Sequence, residues 1–128
     1  MKFVVINFCN ETGVGVMPWG ALWGGKLSHP IGFKDSARSK VGSKHGSVTE
    51  ADEQIINRVE EISNRKGWTM GQVALSWIIS KGTIPVIGLN SIARVAEAGE
   101  LRGKVLTEEE TRYLEEPYIA KPLAPGTT

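Results

Sequence analysis

An α/β fold with parallel strands is what the sequence predicts, and three observations carry that reading. Two short apolar runs, at 14–17 and 84–87, each open into glycine, at Gly20 and Gly88. Segments with helix-start signals and apolar residues at helical spacing lie between and after them. Parallel neighbours need a crossover of helical size, which those segments supply. The length of 128 residues fits one domain. Apolar residues make up 41% and charged residues 23%, which excludes disordered, collagenous and disulfide-rich classes. Fifteen Lys and Arg against fourteen Asp and Glu leave +1, so no long-range field recruits nucleic acid or an anionic membrane. The one cysteine, Cys9, cannot form an internal disulfide and reads as a small buried apolar residue of a reducing compartment.

In chain order, Phe3-Val4-Val5-Ile6 follows Lys2 in the manner of a secretion signal, but Asn7, Asn10 and Glu11 interrupt it. No stretch approaches the ~20 apolar residues of a membrane span, so the chain is expected to be cytoplasmic with no membrane partner. Residues 14–18 read as a buried strand ending at Pro18 and opening into Trp19-Gly20-Ala21-Leu22-Trp23-Gly24-Gly25. Residues 28–48 form a long loop rich in Ser, Gly, Lys and Arg. Thr49 and Asp52 set up a capping box for a helix over 52–66 carrying Ile55, Ile56, Val59 and Ile62. Thr69 and Gln72 form a second box, for a helix over 70–81 with Val73, Ala74, Trp77 and Ile78. After the strand at 84–87, Ser91 caps a helix bearing Ile92, Val95 and Leu101, and Thr107 to Glu110 open a last helix that Pro117 ends. A tail follows over 117–128. Two strands can neither close their edges nor bury both faces, so the chain reads as part of a larger sheet. Val5, Ile6, Val16, Met17, Val86 and Ile87 are the candidates for a face left uncovered, and self-association or pairing with the missing segments of that sheet is expected.

Few residues point to chemistry directly. His29 and His45 lie sixteen apart without a Cys pair, HExxH or Asp-rich loop, and are expected to be solvated surface residues, not metal ligands. No GxSxG elbow is present and Cys9 has no histidine near it in sequence, so nothing supports nucleophilic catalysis. The two strand ends that meet glycine remain. Backbone N–H groups at such loops and at helix starts can hold phosphate oxygens.

The segment 13–27, GVGVMPWGALWGGKL, resembles the seventh strand and following loop of the aldo-keto reductases, whose pattern is close to IGVIPWSPLxxGxL. RKGWTMGQVALSW at 65–77 is similar to that family's RGxSxAQVALAW helix, and Pro85-Val86-Ile87-Gly88 to its eighth strand. Arg94-Val95-Ala96-Glu97 resembles its cofactor-binding helix, and LTEEE with YLEEPY its C-terminal helix. The matches run in order at family spacing from about Ile6 onward, nearest the aryl-alcohol-dehydrogenase-like branch.

The resemblance implies the C-terminal portion of a (β/α)8 barrel, with the last two strands and their helices, and a cofactor, NADP(H), at the C-terminal ends of the strands. It implies cofactor contacts at Trp19, Gly20, Ala21, Leu22 and Gly24 after the first strand, with Lys26 and Arg38 adding positive charge. After the second strand it implies contacts at Gly88, Asn90, Arg94 and Glu97. The family's Ser-Pro is Gly20-Ala21 here and an adenine-contacting Asn is Ala98, which predicts weaker cofactor binding. The family's catalytic Asp, Tyr, Lys and His lie on its first four strands, and Tyr113 and Tyr118 fall too late to serve as the proton-donating tyrosine. No catalytic residue is therefore assigned. The expected function is the cofactor-binding part of an NADP(H)-dependent carbonyl reductase, inactive by itself, acting on a small-molecule carbonyl substrate only with a full barrel. The alternative is a non-enzymatic, partner-binding module built on the same barrel. A helix-turn-helix nucleic-acid binder is disfavoured by the near-zero charge and by the apolar IPVIG where a recognition helix would stand.

Overall fold

In a computed structural model, residues 4–32 and 48–120 are described. Five helices are formed among them: α1 (Val4–Thr12), α2 (Glu50–Lys66), α3 (Met70–Ser80), α4 (Ile92–Gly99) and α5 (Glu108–Glu115). The two expected strands are adjacent and parallel, but they are shorter than a ladder. Ile84 N–H donates to the Val16 carbonyl at 2.9 Å and Val86 N–H to the Pro18 carbonyl at 3.0 Å, and Trp19 and Val86 form a single parallel bridge. Proline accounts for part of this, because Pro18 and Pro85 have no N–H to add to a ladder.

The helices start where the sequence places their caps. Thr49 accepts from the Asp52 N–H at 3.3 Å while Asp52 Oδ2 accepts from the Thr49 N–H at 2.9 Å, so the shorter Asp closes the box as Glu would. Thr69 with Gln72 and Thr107 with Glu110 form the same reciprocal pair. Ser91 caps α4 by accepting from the Arg94 N–H at 3.2 Å, but α4 ends at Gly99, so Leu101 lies in the turn beyond it. Gly67 ends α2 in the left-handed region, φ 69°, with its N–H on the Ser63 carbonyl.

The core is a helical layer. Ile56, Val59 and Ile62 of α2 meet Met70 and Val73 of α3, Leu106, and Leu114 of α5, with α2 packed on both α3 and α5. Ile62 and Val73 are fully enclosed. Trp23 and Leu27 pack against this cluster, so the glycine-rich turn after the first extended segment is anchored to the helices. The first turns of α3 are buried all round, from Met70 to Ser76, because the helix is covered on a second side. There a Cβ on Gly71 would lie 2.9 Å from Glu97 Oε1 and 3.6 Å from Ser28 Oγ.

Three expectations are corrected. Residues 4–12 form a helix, where the sequence showed only an interrupted apolar start; none of its residues is buried. It is tied on by Asn10, whose amide donates to the Lys81 carbonyl at 2.9 Å. Among the candidates for an uncovered face, Val5, Met17 and Val86 are exposed, but Ile6, Val16 and Ile87 are half-buried. Cys9 is half-buried on α1, not enclosed in the core.

Candidate functional site: a groove at the ends of the two extended segments

The turn that follows Trp19 is built from left-handed residues. Gly20 (φ 71°), Gly24 (64°) and Gly25 (95°) lie in that region, and so does Trp23 at φ 50°, which a bulky side chain adopts only at a cost. Packing of the Trp23 ring against the core and Lys26 stacked over it at 4.4 Å hold it there. The turn then closes on itself: Trp23 N–H donates to the Gly20 carbonyl, Gly25 N–H to Leu22 and Ser28 N–H to Gly25. The surrounding contacts hold the strain at Trp23 in place.

Across from it, residues 86–90 leave the second extended segment and enter α4. Between the two lies an open groove of about 440 Å³. Eight of the eleven residues singled out from the sequence line it: Trp19, Gly20, Ala21, Leu22 and Gly24 on one wall, and Gly88, Asn90 and Arg94 on the other. Residues 84 and 86 pair with 16 and 18, which brings the two turns side by side at one end of the segments.

The other three are placed elsewhere. Lys26 stacks on Trp23 and is not part of the lining. Glu97 faces the start of α3, where its carboxylate accepts the Thr69 hydroxyl proton and its carbonyl accepts from the Gln72 amide at 3.0 Å. That position couples α4 to the α3 capping box. Arg38, like His45, lies outside the described residues. The sequence reading missed Ser28 and His29, which line the groove. His29 is half-buried there, not a solvated surface residue, because the turn folds back and carries it onto the wall. Nothing in its sequence neighbourhood signals this.

The wall combines an apolar indole, glycine backbone that side chains do not obstruct, the Asn90 amide, the His29 imidazole and the Arg94 guanidinium. A Cβ added at Gly20 or Gly25 would meet nothing within 4 Å, so the space beside the turn is open. Arg94 lies in the first turn of α4, at the positive end of the helix dipole. This set suits a phosphate-bearing, partly aromatic ligand. Among the described residues no group of three or more His, Cys, Asp or Glu could hold a metal ion, and no helix is long and apolar enough to cross a membrane.

Comparison with known proteins decides the family. The model of the aldo/keto reductase family matches residues 4–119. The chain belongs to the aldo/keto reductase family. An aldo-keto reductase of Fusarium vanettenii is 40% identical over 123 residues, 93% of this chain and 33% of the relative. The versiconal hemiacetal acetate reductase of Aspergillus parasiticus is 36% identical over 95% of this chain and 37% of its own length. An aryl-alcohol-dehydrogenase-like protein of Saccharomyces cerevisiae is 37% identical over 89% of this chain and 34% of its own. The chain thus spans about a third of the length of these relatives. The glycerol dehydrogenase of Gluconobacter oxydans superposes with a TM-score of 0.69 at 19% identity, over 97% of this chain and 41% of that one. The fold is that of part of a (β/α)8 barrel, and the parallel pair with its flanking helices is the portion observed.

Proposed function

We propose that this chain forms the wall of an aldo-keto reductase barrel that holds the phosphate-bearing half of NADP(H), in a protein that interconverts carbonyl and alcohol groups. One observation carries the reading: the left-handed glycine turn at 20–25 and the segment 88–94 face each other across a groove that Arg94 helps to line. The backbone of Gly20, Ala21 and Leu22 approaches the diphosphate, Trp19 offers its ring edge or face, and Arg94 with Asn90 takes the adenosine phosphate. His29 adds a further donor. When bound, the cofactor supplies hydride for carbonyl reduction. The chain's own part is to bind and orient it. Tyr113, whose hydroxyl is donated to Glu61, and Tyr118 are not part of the groove lining, so neither is assigned a proton-transfer role. The chain alone is accordingly inactive toward carbonyl substrates, and the setting is cytoplasmic.

The test is a titration of the full chain with NADPH and NADH, followed by tryptophan emission and calorimetry. NADPH binds saturably and more tightly than NADH, a Trp19→Phe variant loses most of the emission change, and Arg94→Ala weakens NADPH by about tenfold, the scale of one charge-assisted hydrogen bond. Absence of saturable binding, or an Arg94→Ala variant that binds as the parent does, contradicts the reading.

A further inference from the structure

α4 supplies Arg94 to the groove wall, yet none of its residues is buried, so no enclosed apolar side chain anchors it. Its ties are polar and converge on the start of α3. The Glu97 carboxylate accepts the Thr69 hydroxyl proton, and the Gln72 amide donates to the Glu97 carbonyl at 3.0 Å and to Glu100 Oε2 at 3.4 Å. Both partners are themselves held. Thr69 Oγ1 accepts from the Gln72 N–H at 3.1 Å, Gln72 Oε1 accepts from the Thr69 N–H at 3.0 Å, and Gln72 is buried. Gly71 stands between them, also buried. A Cβ there would lie 2.9 Å from Glu97 Oε1 and 3.6 Å from Ser28 Oγ, and Ser28 lines the opposite wall of the groove. The two walls therefore meet at one glycine.

We propose that Glu97 is a positioning residue of the groove: it fixes α4 on the α3 capping box so that Arg94 is presented to a phosphate, and Gly71 leaves room for it. This rests on the reading of the groove as the nucleotide wall. The Glu97 side chain is not part of the groove lining, so its effect passes through Arg94, which precedes it by less than one helical turn. A hydrogen bond to a carboxylate is roughly twice as strong as one between neutral groups, which suits it to holding a helix that has no enclosed side chain. In Gly71→Ala the Cβ and the carboxylate cannot both keep their places, and the flexible end of Glu97 leaves Thr69. Alanine favours a helix over glycine, so this variant strengthens α3 itself and isolates the effect on α4.

The experiment measures amide hydrogen exchange of the full chain without ligand, and NADPH affinity by calorimetry. The variants are Glu97→Ala, Glu97→Gln, Gly71→Ala, Arg94→Ala and the double variant Arg94→Ala with Glu97→Ala. Glu97→Ala and Gly71→Ala are expected to speed exchange over residues 95–100 by about tenfold, with α2 unchanged, and to weaken NADPH by about fivefold. Glu97→Gln keeps an oxygen that accepts from Thr69, so both readouts stay within about twofold of the parent. Because Glu97 acts through Arg94, its removal from the Arg94→Ala chain weakens NADPH no further. Three results overturn the proposal: parent exchange rates over α4 in Glu97→Ala, Glu97→Gln behaving as Glu97→Ala does, or an equal loss of affinity with and without Arg94, which marks direct contact with nucleotide. A parent that binds no NADPH contradicts the reading of the groove instead, and the exchange rates of the three single variants at 71 and 97 then decide the place of Glu97.

Discussion

At Gly25 the backbone sits at φ 95°, and a Cβ there would meet no atom within 4 Å. The cost of Gly25→Ala is therefore one of dihedral strain and not of collision, about 1–2 kcal/mol. The groove wall would relax to relieve it. The expected outcome is a modest fall in unfolding free energy with a larger fractional loss of NADPH affinity, read by urea titration and calorimetry on the same preparation. Glu110 gives a pH dependence. Burial pushes its carboxyl up, but hydrogen bonds from the Thr107 N–H, from Lys66 and from the Thr107 hydroxyl, together with the Lys66 charge, bring it below its ordinary value of 4.5. Lys66 Nζ lies 3.0 Å from Glu110 Oε1. A carboxyl whose folded value is depressed contributes stability above its unfolded value and loses it as pH falls through the folded one. Urea midpoints taken from pH 6 down to pH 3 should fall less steeply for Glu110→Gln than for the parent. Equal slopes would remove Glu110 from the account.

At the scale of elements, the layer of α2, α3 and α5 carries the stability. Ile62 is fully enclosed at its centre, so Ile62→Ala removes apolar contact and leaves a cavity, a loss of about 2–5 kcal/mol. A small partial barrel has little to spare, and Ile62→Ala should shift the thermal midpoint by many degrees or unfold the chain, while Ile62→Val costs about 1 kcal/mol. Circular dichroism melts of the pair check the ratio. These helices were legible in the sequence because each signal is local: a Thr hydroxyl and a carboxylate or amide three residues on, then apolar residues at helical spacing. α1 was not legible. None of its residues is buried among the described residues, so no buried stripe shapes its pattern. The parallel pairing of 14–17 with 84–87 was legible from the crossover argument, but its reduction to one bridge was not, since strand length depends on sheet neighbours and among the described residues the two segments have only each other.

For the whole molecule, the site is a meeting of two turns more than sixty residues apart, and only the resemblance to a family could bring them together from sequence. It placed eight residues that line one groove. It could not place Glu97, whose carboxylate is taken by Thr69, because that contact depends on how closely α4 approaches the start of α3 at Gly71. Nor could it find His29, which reaches the wall through a fold-back of the turn. Glu97 ties α4, which carries Arg94, to α3, whose Met70 and Val73 lie in the core. The most direct test of the groove as the cofactor wall is amide chemical-shift mapping of the ¹⁵N-labelled full chain as NADP⁺ is added. The account predicts progressive shifts concentrated at Gly20, Ala21, Leu22, Gly24, Gly88, Asn90 and Arg94, with α2 and α5 unmoved; shifts scattered over the helical layer, or none at saturating nucleotide, would contradict it.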